Sequence, residues 1–188
     1  MEWILFTYWL PPEPSRKRVF IWRQLKKIGA LSTEGGWLLP KREPLTTAIE
    51  DIAHTAEEMG GTTNLYMVTH FSEAQEQRSI ANFQQERHKE YVEIIKECQK
   101  TMKHIERERQ AHQFNIEEVE ELEGDLEKIK HWYSEARKRD FWEVAARNEV
   151  EKLISEVEVS LTDFTQKTYE ETAKLSGGNG ISDLHGAT

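Results

Sequence analysis

Between Ile80 and Phe164, apolar residues recur at three- and four-residue intervals in a mostly charged background, and this repeat constrains the fold more than any other feature. Ile80, Phe83, Tyr91, Ile94, Cys98, Met102 and Ile105 form a first seam, interrupted by Arg87. Val119, Leu122, Leu126, Ile129, Tyr133 and Ala136 form a second; Val150, Ile154, Val157, Leu161 and Phe164 form a third. Residues three and four apart share one helical face, so each set predicts an amphipathic helix. Seams this narrow suit antiparallel coiled-coil-like packing. Breaks are expected at Gln113 to Asn115 and at Arg139 to Phe141. A first helix from Ser72 to Phe114 would be roughly 64 Å long at 1.5 Å per residue. That is too long for a lid on a small sheet, so it is expected to project as an arm. The apolar seams then predict a homodimer through this arm.

Before Ser72 the pattern is different. Glu2 to Leu10 is rich in aromatic and β-branched residues and reads as a buried strand, stopped by Pro11 and Pro12. Ser15 is the expected N-cap of a helix to Ile28, with Gly29 as its stop. Ala30 to Thr33 and Trp37 to Leu39 read as a hairpin around Glu34-Gly35-Gly36. A helix from Leu45 to Met59 and a strand from Leu65 to Val68 complete the set. The fold class is therefore α+β: a ferredoxin-like β-α-β-β-α-β domain over 1–71, followed by a long antiparallel helical region over 72–175. The Gly- and Ser-rich stretch 176–188 is expected to be a disordered tail.

Charge divides the same way. Of 25 Lys/Arg and 34 Asp/Glu residues, 8 of each fall in 1–71, so the net charge of -9 belongs wholly to residues 72–188. A bulk polyanion-binding surface is disfavoured there. Charged residues make up 31% of the chain and mean hydropathy is -0.74, too polar for a membrane protein. Trp3 to Leu10 is too short to span a bilayer, and without a basic flank it is a poor signal peptide. Cys98 alone builds neither a disulfide framework nor a CxxC zinc site. The chain is expected in the cytoplasm.

The residues that stand out chemically are cations. Residues 14–33 hold Arg16, Lys17, Arg18, Arg23, Lys26 and Lys27 and no acid. At 100° per residue Arg16, Phe20, Arg23 and Lys27 form one stripe, opposite Ile21, Leu25 and Ile28. Arg16, Lys17 and Arg18 also lie in the first turn, where free N–H groups favour anions. Arg16, Lys17, Arg18, Arg23 and Lys27 are thus the candidate nucleic-acid or oxyanion contacts; a solvated helix face is the competing reading. Glu50/His54, Glu108/His112 and Glu127/His131 are each four apart, but neither Glu-x-x-His nor His-Glu-x-x-His occurs, so no metal site is expected. GxGxxG, GxxxxGK[ST] and GxSxG are also absent, so no cofactor and no catalytic residue is expected. Cys98 sits on an apolar seam and reads as a buried hydrophobe. Trp3, Trp9, Trp22 and Trp37 read as core rather than as a stacking platform, with Trp22 about 60° off the buried stripe and able to reach the domain edge.

The run Glu2 to Tyr8, then Pro14-Ser15-Arg16, Val19 to Arg23 and Leu25 to Ala30, resembles the N-terminal region of the ChrB chromate-resistance proteins. Trp37-Leu38-Leu39-Pro40, His131-Trp132-Tyr133 and Lys138-Arg139-Asp140-Phe141-Trp142 are similar to further segments of that family, extending the likeness over about residues 2–165. More distantly, the first domain resembles the Cas2-like module of PaaX-type repressors. The resemblance implies a bacterial cytosolic regulator associated with chromate-resistance operons. Full-length members carry a further C-terminal domain, so chromate binding is not carried over to these residues. A Cas2-type nuclease places an acidic metal ligand at the end of its first strand, where this chain has Thr7-Tyr8-Trp9-Leu10.

The leading expectation is a non-enzymatic, dimeric regulator of transcription in metal or oxyanion stress, with weak DNA or oxyanion binding. A protein-interaction module that touches no DNA is the main alternative. A metal-dependent nuclease is the lesser one.

Overall fold

The computed structural model describes residues 1–177, and the expected tail beyond Gly177 lies outside the described residues. The chain is mixed α+β, with one four-stranded antiparallel sheet and five helices among the described residues. It divides into two compact units, Met1–Glu86 and Arg87 onward, with the division falling inside the third helix.

In the first unit the elements are β1 (Trp3–Trp9), α1 (Ser15–Lys27), β2 (Leu31–Thr33), β3 (Gly36–Pro40), α2 (Leu45–Glu58) and β4 (Thr62–Val68). The sheet order is β2-β3-β1-β4, which leaves β2 and β4 as edges. β4 starts at Thr62 rather than at Leu65. Thr62, Thr63 and Asn64 look like a turn by composition, but the end of β1 supplies partners in Trp9, Tyr8 and Thr7. Alternation along β1 splits its residues between two faces. Ile4 and Phe6 join Trp37 and Leu39 under Ile21 and Leu25 of α1 and Ile49, Ile52, Ala53 and Ala56 of α2. Each large aliphatic or aromatic group in this core contributes about 1.5–3 kcal/mol by leaving water. Trp3 and Leu38 face the other way and are buried too. The Trp3 ring lies 5.8 Å from Phe71 and 6.0 Å from Phe83, and its indole N–H donates to Glu76 at 3.0 Å. Gly36, at φ +140°, is required where β3 meets β1, since a Cβ there would stand 2.6 Å from the Phe6 carbonyl oxygen.

Beyond the sheet come α3 (Glu73–Gln110), α4 (Ile116–Lys138) and α5 (Ala146–Gly177). The part of α3 in the second unit joins α4 and α5 around one core, containing Tyr91, Ile94, Cys98, Ile105, Leu122, Ile129, Val150, Val157 and Phe164. The seams that suggest a homodimer are therefore filled within a single chain. Arg87, the interruption in the first seam, is buried and pairs with Glu90 at 2.6 Å, and Arg139 reaches the same Glu90 oxygen at 2.9 Å. Beside it, the Tyr91 hydroxyl donates to Asp140 at 2.9 Å, and both Asp140 oxygens accept the Val144 N–H at 3.1 Å. Polar residues that disrupt the apolar pattern thus meet each other between α3 and the α4–α5 turn.

Candidate anion-binding surface

α1 begins at Ser15 itself, with Pro14 in the N-cap position and no side chain capping the free N–H groups. Ser15 is thus a first-turn residue and not the expected cap. Pro14, with its fixed φ and no N–H, supplies the extended entry instead. Gly29, at φ 80°, ends the helix: its N–H bonds to the Lys26 carbonyl at 3.0 Å and that of Ala30 to Leu25 at 3.0 Å. Burial of Ile21 and Leu25 fixes the helix rotation and so directs the opposite stripe to water.

The five cations named from sequence separate into two groups. Arg16, Arg23 and Lys27 are exposed and make no ion pair or hydrogen bond with any described residue. Arg18 is exposed too, and its charge pulls down the Tyr8 phenol, which burial pushes above its usual value by a larger amount. Lys17 is committed elsewhere, donating to the Met59 carbonyl at the end of α2 at 2.8 Å. Lys26, outside the stripe, pairs with Glu86 at 3.6 Å and lies 6.0 Å from the Trp37 ring centroid.

Aromatic groups accompany these cations. Phe20 is 41% exposed and Trp22 48% exposed on the same helix. The core reading holds for Trp3 and Trp37 but not for Trp9, which is 59% exposed, while Trp22 is exposed as its offset from the buried stripe allows. Trp9 ends β1, where strand composition reads as burial although the sheet has no cover for its last residue. From Arg16 to Lys27 the stripe runs roughly 16 Å along the axis. Cations spread over that length cannot converge on one tetrahedral oxyanion, whereas an extended polyanion can meet all of them. Exposed aromatic faces beside them add a surface on which bases can stack.

The other candidates resolve plainly. Cys98 is fully buried, and burial pushes its thiol up to about 11, the condition of an inert packing residue. Of the spaced Glu/His pairs, His54 meets Glu58 at 3.2 Å, and His112 lies 6.3 Å from the Phe114 ring centroid in a stacked arrangement. Among the described residues His104 meets two carboxylates, Glu108 and Glu118, which spacing rules written for Glu-first pairs miss. No described helix is long and apolar enough to cross a membrane.

Comparison with known proteins gives one match. The family model described as Protein ChrB, N-terminal, aligns with residues 18–175, from inside α1 to near the end of α5. Arg18, Arg23 and Lys27 fall within the match; Arg16, Lys17 and all of β1 precede it. No curated protein and no solved structure matches the chain, so the more distant likeness to the Cas2-like module gains no support.

Proposed function

The chain belongs to the ChrB N-terminal family, and from that membership we propose that it is a regulatory protein of chromate resistance. In this reading it is cytoplasmic and non-enzymatic, and it acts in transcriptional control. The first unit is a ferredoxin-like domain that presents α1 to a nucleic-acid backbone. One observation carries the proposal: Arg16, Arg23 and Lys27 stand in line, exposed and unpaired, on a helix fixed by its buried face. Phosphate contacts of this kind position a protein without reading bases. The reading therefore implies weak, salt-sensitive binding by this chain alone.

A protein-interaction role without DNA is the second reading, favoured by the acidic excess that lies wholly after residue 71. Fluorescence anisotropy with labelled duplex DNA at two salt concentrations separates the two. Removing one cation that neutralises a phosphate makes the log–log salt slope shallower by about 0.9. The Arg16/Arg23/Lys27 triple alanine variant is expected to have a slope shallower by about 2.7 if all three touch phosphate. Lys17→Met, whose ammonium is held by Met59, is expected to leave the slope unchanged. If wild type fails to bind, or the triple variant binds with the wild-type slope, α1 is a solvated face.

A further inference from the structure

An unassigned cluster lies where α3 turns into α4. His104 and Glu108 stand one turn apart near the end of α3, and Glu118 occupies the first turn of α4. That turn is held in place because the Asn115 side chain accepts the Glu118 N–H at 2.8 Å. Ile105, Val119 and Leu122 are buried at the same junction, so the helix ends are anchored by packing as well.

The ligand atoms are close to the positions a metal would require. His104 Nε2 lies 3.2 Å from Glu118 Oε2 and 3.6 Å from Glu108 Oε1, and one ligand atom from each of the three falls within 4.8 Å of the others. Bonds of about 2.0–2.2 Å in a tetrahedral shell put neighbouring ligands about 3.3–3.6 Å apart. The Glu108–Glu118 pair, separated by no more than 4.8 Å, would have to come within about 3.6 Å to close the triangle.

The electrostatics point the same way. Glu108 is only 4% exposed, and its Oε1 is held by the neighbouring Arg107 guanidinium at 2.7 Å and 2.8 Å. Glu118 Oε2 is buried with no hydrogen-bond partner, although His104 Nε2 is near, so the imidazole N–H does not aim at it. An orphaned buried carboxylate oxygen costs stability that a cation at the common centre would recover. Two carboxylates and a neutral imidazole make a 2+ ion formally neutral there.

We propose that His104, Glu108 and Glu118 bind a divalent first-row transition cation, with Zn²⁺ the best fit and water completing the shell. The imidazole selects against Mg²⁺ and Ca²⁺, which take oxygen ligands. Arg107 is the built-in competitor. Its side chain is 70% exposed, so it can leave Glu108 for water at little cost. Lys100, Lys103 and Arg107 line the adjoining cleft and repel a cation, which lowers the affinity of the site.

Isothermal titration of the full chain with Zn²⁺ tests this, with circular dichroism confirming that each variant is folded. Wild type is expected to bind one Zn²⁺ at this site and no Mg²⁺. His104→Ala and Glu118→Gln each weaken the site at least about tenfold. Arg107→Ala tightens it by freeing Glu108, and His54→Ala, at an exposed pair elsewhere, changes nothing. Co²⁺ in place of Zn²⁺ gives visible bands of tetrahedral intensity that vanish in Glu118→Gln, a readout independent of His104 packing. No Zn²⁺ binding, equal affinity in wild type and both ligand variants, or no gain in Arg107→Ala would overturn the assignment.

Discussion

Arg139 and Asp140 are part of the segment through which the sequence resembles its family, and charged pairs in such a segment invite assignment to a binding site. Their contacts argue for a structural role that a double-mutant cycle can measure. Tyr91 is fully buried, and its hydroxyl is pushed above its usual value first by burial and then by the Asp140 carboxylate that accepts its hydrogen bond. Tyr91→Phe removes that bond but leaves Asp140 bonded to Val144, so its cost is that of one hydrogen bond to a charged group, about 1.5–3 kcal/mol. Asp140→Ala removes the same bond and also the cap on the Val144 N–H, adding about 1 kcal/mol. The double variant loses no more than Asp140→Ala does. The two single losses should therefore exceed the double loss by about 1.5–3 kcal/mol. Urea unfolding with an unchanged denaturant slope is the assay. Additivity within about 0.5 kcal/mol would refute the coupling and make Asp140 a candidate ligand-binding residue again.

Cys98 should resist thiol reagents at neutral pH while the chain is folded. Because burial raises the thiol from about 9 to about 11, its contribution is present below pH 9 and lost as pH climbs towards 11. The loss is about 2–3 kcal/mol and is read as a fall in urea midpoint between pH 9 and 10 that Cys98→Ala makes shallower, the raised Tyr91 and Tyr133 hydroxyls adding their own fall above pH 10. Ile94→Asp should destabilise the helical unit to the same extent at every protein concentration, because Ile94 is buried inside one chain. Gly61→Ala should cost about 1–3 kcal/mol, since its Cβ would stand 2.5 Å from the Trp9 carbonyl oxygen. Gly124→Ala, in the interior of α4 with open space around it, should instead raise the thermal midpoint by removing an exposed helix glycine.

How much of the fold and the candidate sites is legible in the sequence follows from the range of each interaction. The seams of α3, α4 and α5 and the buried face of α1 depend on spacing within one element, and spacing is visible in a sequence. Ile21 and Leu25 point inward as expected, which is why Arg16 and Lys27 point outward. What escapes are the pairings between elements. Lys17 counts as a free cation until the end of α2 is placed beside it. Trp9 looks like core because composition cannot show where a sheet runs out of cover. His104 and Glu108 become a candidate site only when Glu118 arrives from the next helix. Arg87 looks like a fault in a seam until Glu90 and Arg139 close around it. That the three apolar seams fill one another within a single chain is likewise invisible to a count of apolar positions.

The sheet order has a practical consequence for handling the protein. One edge strand, β2, has three residues, but the other, β4, runs for seven and carries Tyr66 and Met67 half in water. An outermost strand keeps one row of backbone donors and acceptors available to any extended chain that meets it. A long, nearly uncharged edge of this kind is where concentrated samples would begin to associate strand to strand. A lysine in place of Met67 would put a charge on that margin without disturbing a buried residue.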